Sequence, residues 1–586
     1  MSLKTRTRAS CTVDGPFRWR CAVWKRAVHI AVLLAVLGLV PLALRDMTSV
    51  ILVFAAVGFG LLGVWMLVKV DIALSLLAFA AVFQIFLGGE IFRYSLAGIL
   101  SRGLLFIAIL RHITVQKRAG FAPSAMNWAV FIYLVSILLS AAAARDPWHV
   151  VMVYWVIDIT FVGLYFGLCS LVDSERRLAM VLRVLVWSTC LMGLVGVYQI
   201  YAGGSWALRF LSSPIGQIIN GPLDVVQEQA VRQAVQAPPE TFRISALLYN
   251  AGYYAAFLGF PYCVAVAGAL VIERIWLRRA MAVASVLLAV NILYSLTRGA
   301  LLALIVSTTW IILHRRRPWL RGVIPTVLVL LVIGTSLWVI AVPRVYTDLA
   351  RRLSSEELQA GAHVRFETWE TGLLEAAKRR FLGGGITREY PQWGHPHNIY
   401  LQASYQYGAL GVLALVTAIS LAFLCCRQAA LAGVSSTLRW AALSCSAGAV
   451  YSAISSFFLT DIWRPHNGTM FWMMLGLAAA TRHVLTERYG IRSVDHRLGI
   501  SPVSKGNLLV RWGLTALALA ASVAGILTLP PFAFIAVFQA GAVILMHIWG
   551  VLSSAAAAPG KRASARDVAQ HSEKDEDRIQ SRRIPS

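Results

Sequence analysis

The sequence predicts an all-α protein: a polytopic bundle of about 12–16 transmembrane helices with two long polar loops. The chain has 586 residues, 58% hydrophobic and 14% charged. Soluble domains carry roughly 25% charged residues. The hydrophobic residues come in blocks of roughly 17 to 25, each long enough to cross the bilayer core as a helix. Barrel strands need only about 10 alternating residues, so these continuous blocks do not fit a β-barrel.

Each predicted span is one such apolar block. The first follows a basic arm without a convincing cleavage site, so we interpret it as a retained helix and not as a signal peptide. The predicted spans are 27–44, 49–68, 72–88, 95–110, 127–143, 149–171, 178–201, 250–271, 280–296, 299–313, 322–342, 404–425, 439–460, 468–482, 512–528 and 531–552.

Charge assigns the loops to sides of the membrane. The formal net charge of +26 lies mostly in short loops and the two tails, which is typical of a membrane protein whose cytoplasmic loops are basic. No nucleic-acid-binding motif accompanies it. The basic loops 111–126, 172–177, 272–279 and 314–321 fall on the side of the N-terminal arm, the cytoplasm, and so, by the span count, do 426–438 and 483–511. The long loops 202–249 and 343–403 then face outward.

The same pattern gives the domain organisation. It predicts a cytoplasmic basic arm (1–26), N-terminal transmembrane helices (27–201), an outer loop (202–249), transmembrane helices (250–342), a second outer loop (343–403), transmembrane helices (404–482), a cytoplasmic loop with an extra hairpin (483–552) and a disordered cytoplasmic tail (553–586).

The second outer loop contains an amphipathic helix, predicted from Val364 to Phe381. Its apolar face comprises Phe366, Trp369, Leu373, Ala377 and Phe381. The helix either lies on the membrane surface or covers a site at the membrane edge as a lid. Three glycines follow at 383–385. They predict a turn that ends the helix, with a phosphate cradle as the alternative.

Arg298 is the first candidate for chemistry. It stands in YSLTRGALLAL, residues 294–304, between two apolar blocks. A snorkelling arginine would be expected on the basic cytoplasmic side, but the span count places Arg298 on the outer side. Because arginine is costly near the membrane core, we interpret it as functional.

Arg365 and His397 are the other two candidates. Arg365 begins the amphipathic helix, where a guanidinium could bind a diphosphate or pair with Glu367 or Glu370. His397 stands in GHPHNIYLQASYQYGALG, residues 394–411, just ahead of an apolar helix. It is the candidate base, since imidazole accepts a proton near neutral pH. The alternative is a structural histidine whose hydrogen bonds go to loop carbonyls. Asn398 would cap the helix or orient the histidine.

Other chemistries have little support in the sequence. The outer loops lack cysteine and an H-E-x-x-H motif, which disfavours zinc at His363, His395 and His397. The eight cysteines lie in the N-terminal arm or the apolar blocks and do not predict a disulfide framework. No Walker or dinucleotide motif and no outward D-x-D is present. We therefore predict no cofactor.

Several motifs resemble those of the O-antigen ligase and O-antigen polymerase superfamily of bacterial membrane glycosyltransferases. SLTRG (295–299) is similar to the family motif S-x-S-R-G. Arg365 and Trp369, with the GGG that follows them, are similar to R-x-x-x-W…G-x-G. HPHNIYLQASYQYGALG is similar to H-N-x-x-L-x-x-x-x-x-x-G-x-x-G. FRISALLYNAGYYAAFL (242–258) is a weaker match to R-x-x-G-x-x-x-x-x-N-x-x-A-x-x-L, with Ala246 in place of glycine and Gly252 in place of asparagine. The resemblance covers roughly 180–480.

The resemblance implies an enzyme of the inner membrane with its active site facing the periplasm. Its donor would be a glycan on undecaprenyl diphosphate and its acceptor lipid A-core or another glycan. Arg298 and Arg365 would hold the diphosphate, and His397 would position or deprotonate the acceptor hydroxyl. Arg243, Asn398, Trp369 and His395 would bind substrate. Ligase, polymerase and protein O-glycosyltransferase stay open as alternatives, and a flippase or transporter is the alternative from another class.

Overall fold

The computed structural model describes residues 69–83, 108, 124–142, 156–202, 244–246, 248, 250–314, 363, 365, 367–374, 376, 383–384, 397–431, 434–458 and 465–489. Contacts divide the chain into two compact units, Met1–Ala73 and Leu74–Ser586. The first unit contributes only 69–73 to the described residues. The helices from Ala125 onward all belong to the second unit.

Helices make up the regular structure of the described residues, which contain no β-strand, and the predicted all-α class is confirmed. In chain order the helices are α1 (Val70–Phe83), α2 (Ala125–Ala142), α3 (Val156–Leu171), α4 (Glu175–Ala202), α5 (Ala251–Val271), α6 (Ile275–Tyr294), α7 (Arg298–Leu313), α8 (Ile399–Leu431), α9 (Ser436–Ser455) and α10 (Pro465–Tyr489). Residues 363, 365, 367–374 and 376 are also helical; we name them the loop helix.

Within the described ranges, four helices are long and apolar enough to cross a membrane: Glu175–Ile200 within α4, then α5, α6 and α8. The helices α1, α2 and α7 and the segment Phe161–Leu171 of α3 are apolar but shorter. The predicted spans 27–44, 49–68, 322–342, 512–528 and 531–552 lie outside the described residues, as do the C-terminal tail and all of 95–110 except Ala108.

Helices α5 and α9 pack closely because small residues let their backbones approach. A β-carbon on Gly259 of α5 would lie 1.9 Å from the Tyr451 ring of α9. The Tyr451 hydroxyl donates to the Ala255 carbonyl at 2.9 Å, and the Trp440 indole donates to the Val264 carbonyl at 2.8 Å. Helix α9 also contacts α4, α7, α8 and α10, so it lies at the centre of the bundle.

Helix α8 is kinked at Gly408, whose backbone is non-helical with φ 70° and ψ −173°. Glycine adopts this conformation without the steric penalty that a β-carbon brings. A kink frees backbone groups from the helix, and the freed Gln406 carbonyl accepts a hydrogen bond from the Ser140 hydroxyl of α2. Helix α2 therefore supports α8 at the kink.

One end of the bundle gathers the starts of α5, α7, α8 and α10 and the ends of α4, α6 and α9; we name it the site end. At the opposite end, Glu175 at the start of α4 accepts hydrogen bonds from Ser435, the N-cap of α9, and from Arg488 near the end of α10, the latter at 2.8 Å. Polar contacts thus join three helices at the end remote from the site end.

Candidate active site

Arg298 is the first residue of α7, directly after a sharp turn from α6. The turn depends on Leu296, which has a positive φ of 52°, and on the Ser295 hydroxyl, which donates to the Ile292 carbonyl at 2.6 Å. Thr297 is the N-cap but makes no side-chain capping bond. Ser295 and Thr297 are buried, whereas Arg298 is exposed. The turn therefore presents the arginine at the surface of the site end.

His397 and Asn398 precede α8 and have different roles. Asn398 is buried, and its Oδ1 accepts hydrogen bonds from the backbone N–H groups of Tyr400 at 3.0 Å and Leu401 at 3.1 Å. The predicted capping role of Asn398 is confirmed. His397 has φ 45°, a left-handed conformation that is uncommon for residues other than glycine and often marks a functional position.

The turn Ser456–Phe458, after α9, joins the starts of α7 and α8. The Ser456 carbonyl accepts a hydrogen bond from the Ile399 N–H at 2.9 Å. A β-carbon on Gly299, next to Arg298, would lie 2.5 Å from the Phe458 β-carbon, so only glycine allows this contact. Sequence reasoning missed this turn, because contacts between distant segments leave no local pattern. The glycine after Arg298 was the available signal.

Tyr400 strengthens the same junction. Its hydroxyl donates to the Ala453 carbonyl of α9 at 3.0 Å, and its ring lies 4.8 Å from the ring of Phe457. The first turn of α8 is therefore attached to α9 by a backbone bond, a side-chain bond and an aromatic contact. His397 lies two residues before this turn of helix, so its backbone is joined directly to a helix start that α9 holds in place.

Arg365 lies close enough to both other candidates for their charges to interact. Burial lowers the pKa of the Arg365 guanidinium, and the positive charge of Arg298 lowers it further. Burial likewise lowers the pKa of His397, and the charge of Arg365 adds to this. The structure thus brings Arg298, Arg365 and His397 together. Two guanidinium groups that repel each other form a place suited to an anion.

Arg365 is exposed, as the alternative of a solvated charge requires, but the ion pair that this alternative includes is absent from the described part of the loop helix. Among the described residues it has no ion pair with Glu367 or Glu370. Glu367 instead lies 3.4 Å from His363, on the exposed side of the loop helix. The Arg365 guanidinium is therefore not bound by a carboxylate of its own helix.

The loop helix faces the protein through small residues. Gly372 and Ala376 are buried and Trp369 is half-buried, but Leu373 is 57% exposed. The predicted apolar face therefore does not coincide with the buried face at Leu373. Leu374, also exposed, extends this apolar surface. Phe366, Ala377 and Phe381, the other members of the predicted face, lie outside the residues whose side chains are described.

The glycines after the loop helix hold it against the kink of α8. Gly383 has φ 68°, and the Gly384 N–H donates to the Tyr405 carbonyl at 2.9 Å. A β-carbon on Gly383 would lie 2.4 Å from the Gln406 carbonyl oxygen and 2.5 Å from the Gly408 nitrogen. The Gly384 N–H thus donates its hydrogen bond to the protein backbone and is not available to bind a phosphate. At these two residues the glycine run is a backbone docking point.

The segment that follows Arg243 is held beside the turn before Arg298. The Ile244 N–H donates to the Tyr294 carbonyl at 3.4 Å. Gln199 of α4 accepts from the backbone N–H groups of Ser245 at 2.9 Å and Ala246 at 2.8 Å. Ala246 has φ 48°, which explains a preference for glycine at this position. Arg243 and His395 themselves lie outside the described residues.

The arrangement suits chemistry on an anionic leaving group. Two arginines supply fixed positive charge, and a histidine with a lowered pKa is neutral, and so able to accept a proton, at neutral pH. No group of three His, Cys, Asp or Glu side chains that could hold a metal occurs within the described ranges.

Comparison with known proteins supports one family. Residues 283–416 match a family model described as O-antigen ligase. The match contains Arg298, Arg365, Trp369, His397 and Asn398 and ends before α9. No curated protein matches the chain. The chain is thus similar to the O-antigen ligase family over residues 283–416, in agreement with the superfamily that its motifs indicate.

Proposed function

We propose that the protein is a membrane glycosyltransferase that transfers a polysaccharide or oligosaccharide from undecaprenyl diphosphate to an acceptor at the periplasmic face. The observation that carries the proposal is the convergence of Arg298, Arg365 and His397 at one end of the bundle. The family match, which spans all three residues, supports the same conclusion.

The reaction assigns a role to each residue. The acceptor hydroxyl oxygen attacks the anomeric carbon of the donor sugar, and the bond from that carbon to the diphosphate oxygen breaks. His397 takes the hydroxyl proton. Arg298 and Arg365 stabilise the negative charge that develops on the departing diphosphate. Because the diphosphate already activates the sugar, the reaction requires neither ATP nor a metal.

The remaining predicted residues would support binding. Asn398 fixes the start of α8 and with it the backbone at His397. Trp369, one helical turn after Arg365, would offer its half-buried ring to a sugar or to the lipid tail. Arg243 would add a third positive charge, since the Ile244 N–H is bonded next to the turn that carries Arg298. His395 would likewise bind substrate.

The acceptor separates the two variants of the proposal. A ligase would transfer the glycan to lipid A-core, whereas a polymerase would transfer it to another lipid-linked repeat. We favour the ligase, because the matching family model is described as O-antigen ligase. A ladder of products on undecaprenyl diphosphate, formed without any other acceptor, would instead identify a polymerase.

The test uses purified wild type, His397→Ala and His363→Ala with an undecaprenyl-diphosphate-linked glycan, with and without lipid A-core. His363 is the matched control, because it lies exposed on the loop helix and pairs with Glu367. We expect wild type and His363→Ala to form product and His397→Ala to form almost none. Equal activity in all three proteins would contradict the role of His397.

The transporter hypothesis is tested on the same three proteins. Each is reconstituted into vesicles, and movement of the lipid-linked glycan between leaflets is followed. A transporter would move the glycan and form no new glycosidic bond. If wild type moved the glycan between leaflets without forming a glycosidic bond, and His397→Ala lost this movement, the enzyme hypothesis would fail.

A further inference from the structure

Buried amide groups near the site end lack hydrogen-bond partners. Asn467, which is 6% exposed, has neither its Oδ1 nor its Nδ2 bonded to any described residue. The Oε1 atoms of Gln402 and Gln406 are also buried and have no partner in the described part of the chain. Most buried polar atoms in proteins are paired, so these unpaired ones require an explanation.

Gln402 and Asn467 lie at similar depth in the bundle. The Tyr133 ring lies 5.7 Å from the Tyr407 ring of α8 and 5.4 Å from the Trp472 ring of α10. Both helices begin at the site end and run the same way. Gln402 and Asn467 each precede their aromatic residue by five positions, which is about 7.5 Å along a helix. They are therefore level with each other.

Gln406 shares a helix face with Gln402, four residues earlier. Its own backbone carbonyl accepts the Ser140 hydroxyl and lies against Gly383. The backbone of Gln406, the deeper member of the pair, therefore lies where the glycines after the loop helix meet the kink. His397 precedes Gln402 by five residues, so the amides lie deeper in the bundle than the proposed base.

Helix capping does not explain Asn467. The tripeptide Pro-His-Asn occurs at 396–398 and again at 465–467. In the first copy Asn398 is the N-cap and bonds two backbone N–H groups. In the second copy the helix already begins at Pro465, so Asn467 is its third residue and makes no such bond. The same sequence therefore leaves one asparagine amide available.

Carboxamides match hydroxyl groups better than they match ions. An amide donates and accepts hydrogen bonds without charge, and each sugar hydroxyl does the same. We propose that Gln402, Gln406 and Asn467 form a sugar-binding subsite, deeper than His397, that bonds the ring hydroxyls of the donor glycan or of the acceptor. The choice of these two glycans rests on the proposed function.

Asn467→Leu tests the subsite, with Asn291→Leu as the matched control. Asn291 is also a buried asparagine in a membrane helix, but it is bonded to the Tyr254 hydroxyl at 2.8 Å and the Leu287 carbonyl at 2.8 Å. We expect Asn467→Leu to leave the ligand-free melting temperature unchanged or higher, since no bond is lost, and Asn291→Leu to lower it. A comparable fall for Asn467→Leu would show a structural role and overturn the proposal.

Kinetics then assign the sugar. In Asn467→Leu and Gln402→Leu we expect one KM to rise at least tenfold with little change in kcat. If the donor sugar binds here, the KM for the lipid-linked glycan should rise. If the acceptor binds here, the KM for lipid A-core should rise. Unchanged KM values for both substrates would overturn the proposal.

Ligand-induced stabilisation separates this inference from the proposed function. The melting temperatures of wild type and Asn467→Leu are measured with each glycan, whether or not transfer occurs. A shift in wild type that is lost in the variant supports the subsite even if no transfer is found, in which case the proposed function alone fails. A shift of equal size in both proteins, or none in wild type, refutes the subsite.

Discussion

Substitution of Gly383 by alanine should uncouple the loop helix from the rest of the site. Gly383 follows the helix that carries Arg365 and docks on the backbone of α8 at the kink. Its φ of 68° costs an alanine roughly 1–2 kcal/mol. The new β-carbon would also lie 2.4 Å from the Gln406 carbonyl oxygen. Both effects oppose docking.

The size of the effect follows from what the β-carbon meets. The nearest atoms are backbone, so no side-chain rotation relieves the contact, and the two segments must separate by about 1 Å to reach an ordinary van der Waals distance. A misplacement of about 1 Å in a catalytic group can cost about 100-fold in rate. We expect a fall of this order in kcat/KM for glycan transfer, because Arg365 moves relative to Arg298 and His397.

The assay compares wild type, Gly383→Ala and Gly384→Ala with the lipid-linked glycan as donor. Gly384 is the matched control, because its φ is not positive and an alanine there keeps the N–H that bonds the Tyr405 carbonyl. Thermal unfolding is measured alongside. We expect Gly383→Ala to lose transfer with only a small change in melting temperature. If Gly383→Ala has the same kcat/KM as wild type, the argument that this docking point positions Arg365 is refuted.

Three further predictions follow from the described contacts. The pKa of His397 is lowered by burial and by the charge of Arg365, so the acid limb of the pH profile of kcat/KM should lie below pH about 6.5. Arg365→Gln removes that positive charge, so the acid limb of its residual activity should move to higher pH. Arg365→Lys keeps the charge and should leave the limb in place. Ala246→Gly should stabilise the protein by up to about 1 kcal/mol in a thermal unfolding assay, because it relieves a left-handed alanine; a lower melting temperature would contradict this. Gly259→Ala should destabilise it by about 1–3 kcal/mol, because the added methyl meets the Tyr451 ring, and an unchanged melting temperature would show that the ring can move.

Apolar blocks predicted where helices lie but not how far they extend. The block 280–296 corresponds to α6, which begins earlier, at Ile275, because the helix includes Arg278 and Arg279. The block 468–482 corresponds to α10, which continues to Tyr489 through Arg482 and Arg488. Charged residues end an apolar pattern but not a helix, since their long side chains can reach polar surroundings while the backbone bonds continue.

Motifs supplied the candidate residues of the site, whereas contacts between distant segments determine what holds those residues in place. The spacing in SLTRG and in HNIYLQASYQYG contains the two helix starts and the glycine of the kink. The two motifs give no indication of the turn Ser456–Phe458, which lies beyond the family match and contacts both helix starts. Gly383 was predicted to end a helix, yet its closest contacts are with Gln406 and Gly408. Such contacts depend on tertiary packing, which local patterns do not record.

The central helix α9 explains how distant segments can form one site. Tyr451 and Trp440 fix α9 to α5 through hydrogen bonds to backbone carbonyls and through ring contacts that only glycine at 259 allows. The turn that ends α9 then bonds the start of α8 and contacts the start of α7. A displacement of α9 would therefore move Arg298 and His397 through their shared support. For this reason we expect Gly259→Ala, one helix away from either residue, to lower kcat while KM changes little. A change in KM alone would show that α9 does not set the separation of Arg298 and His397.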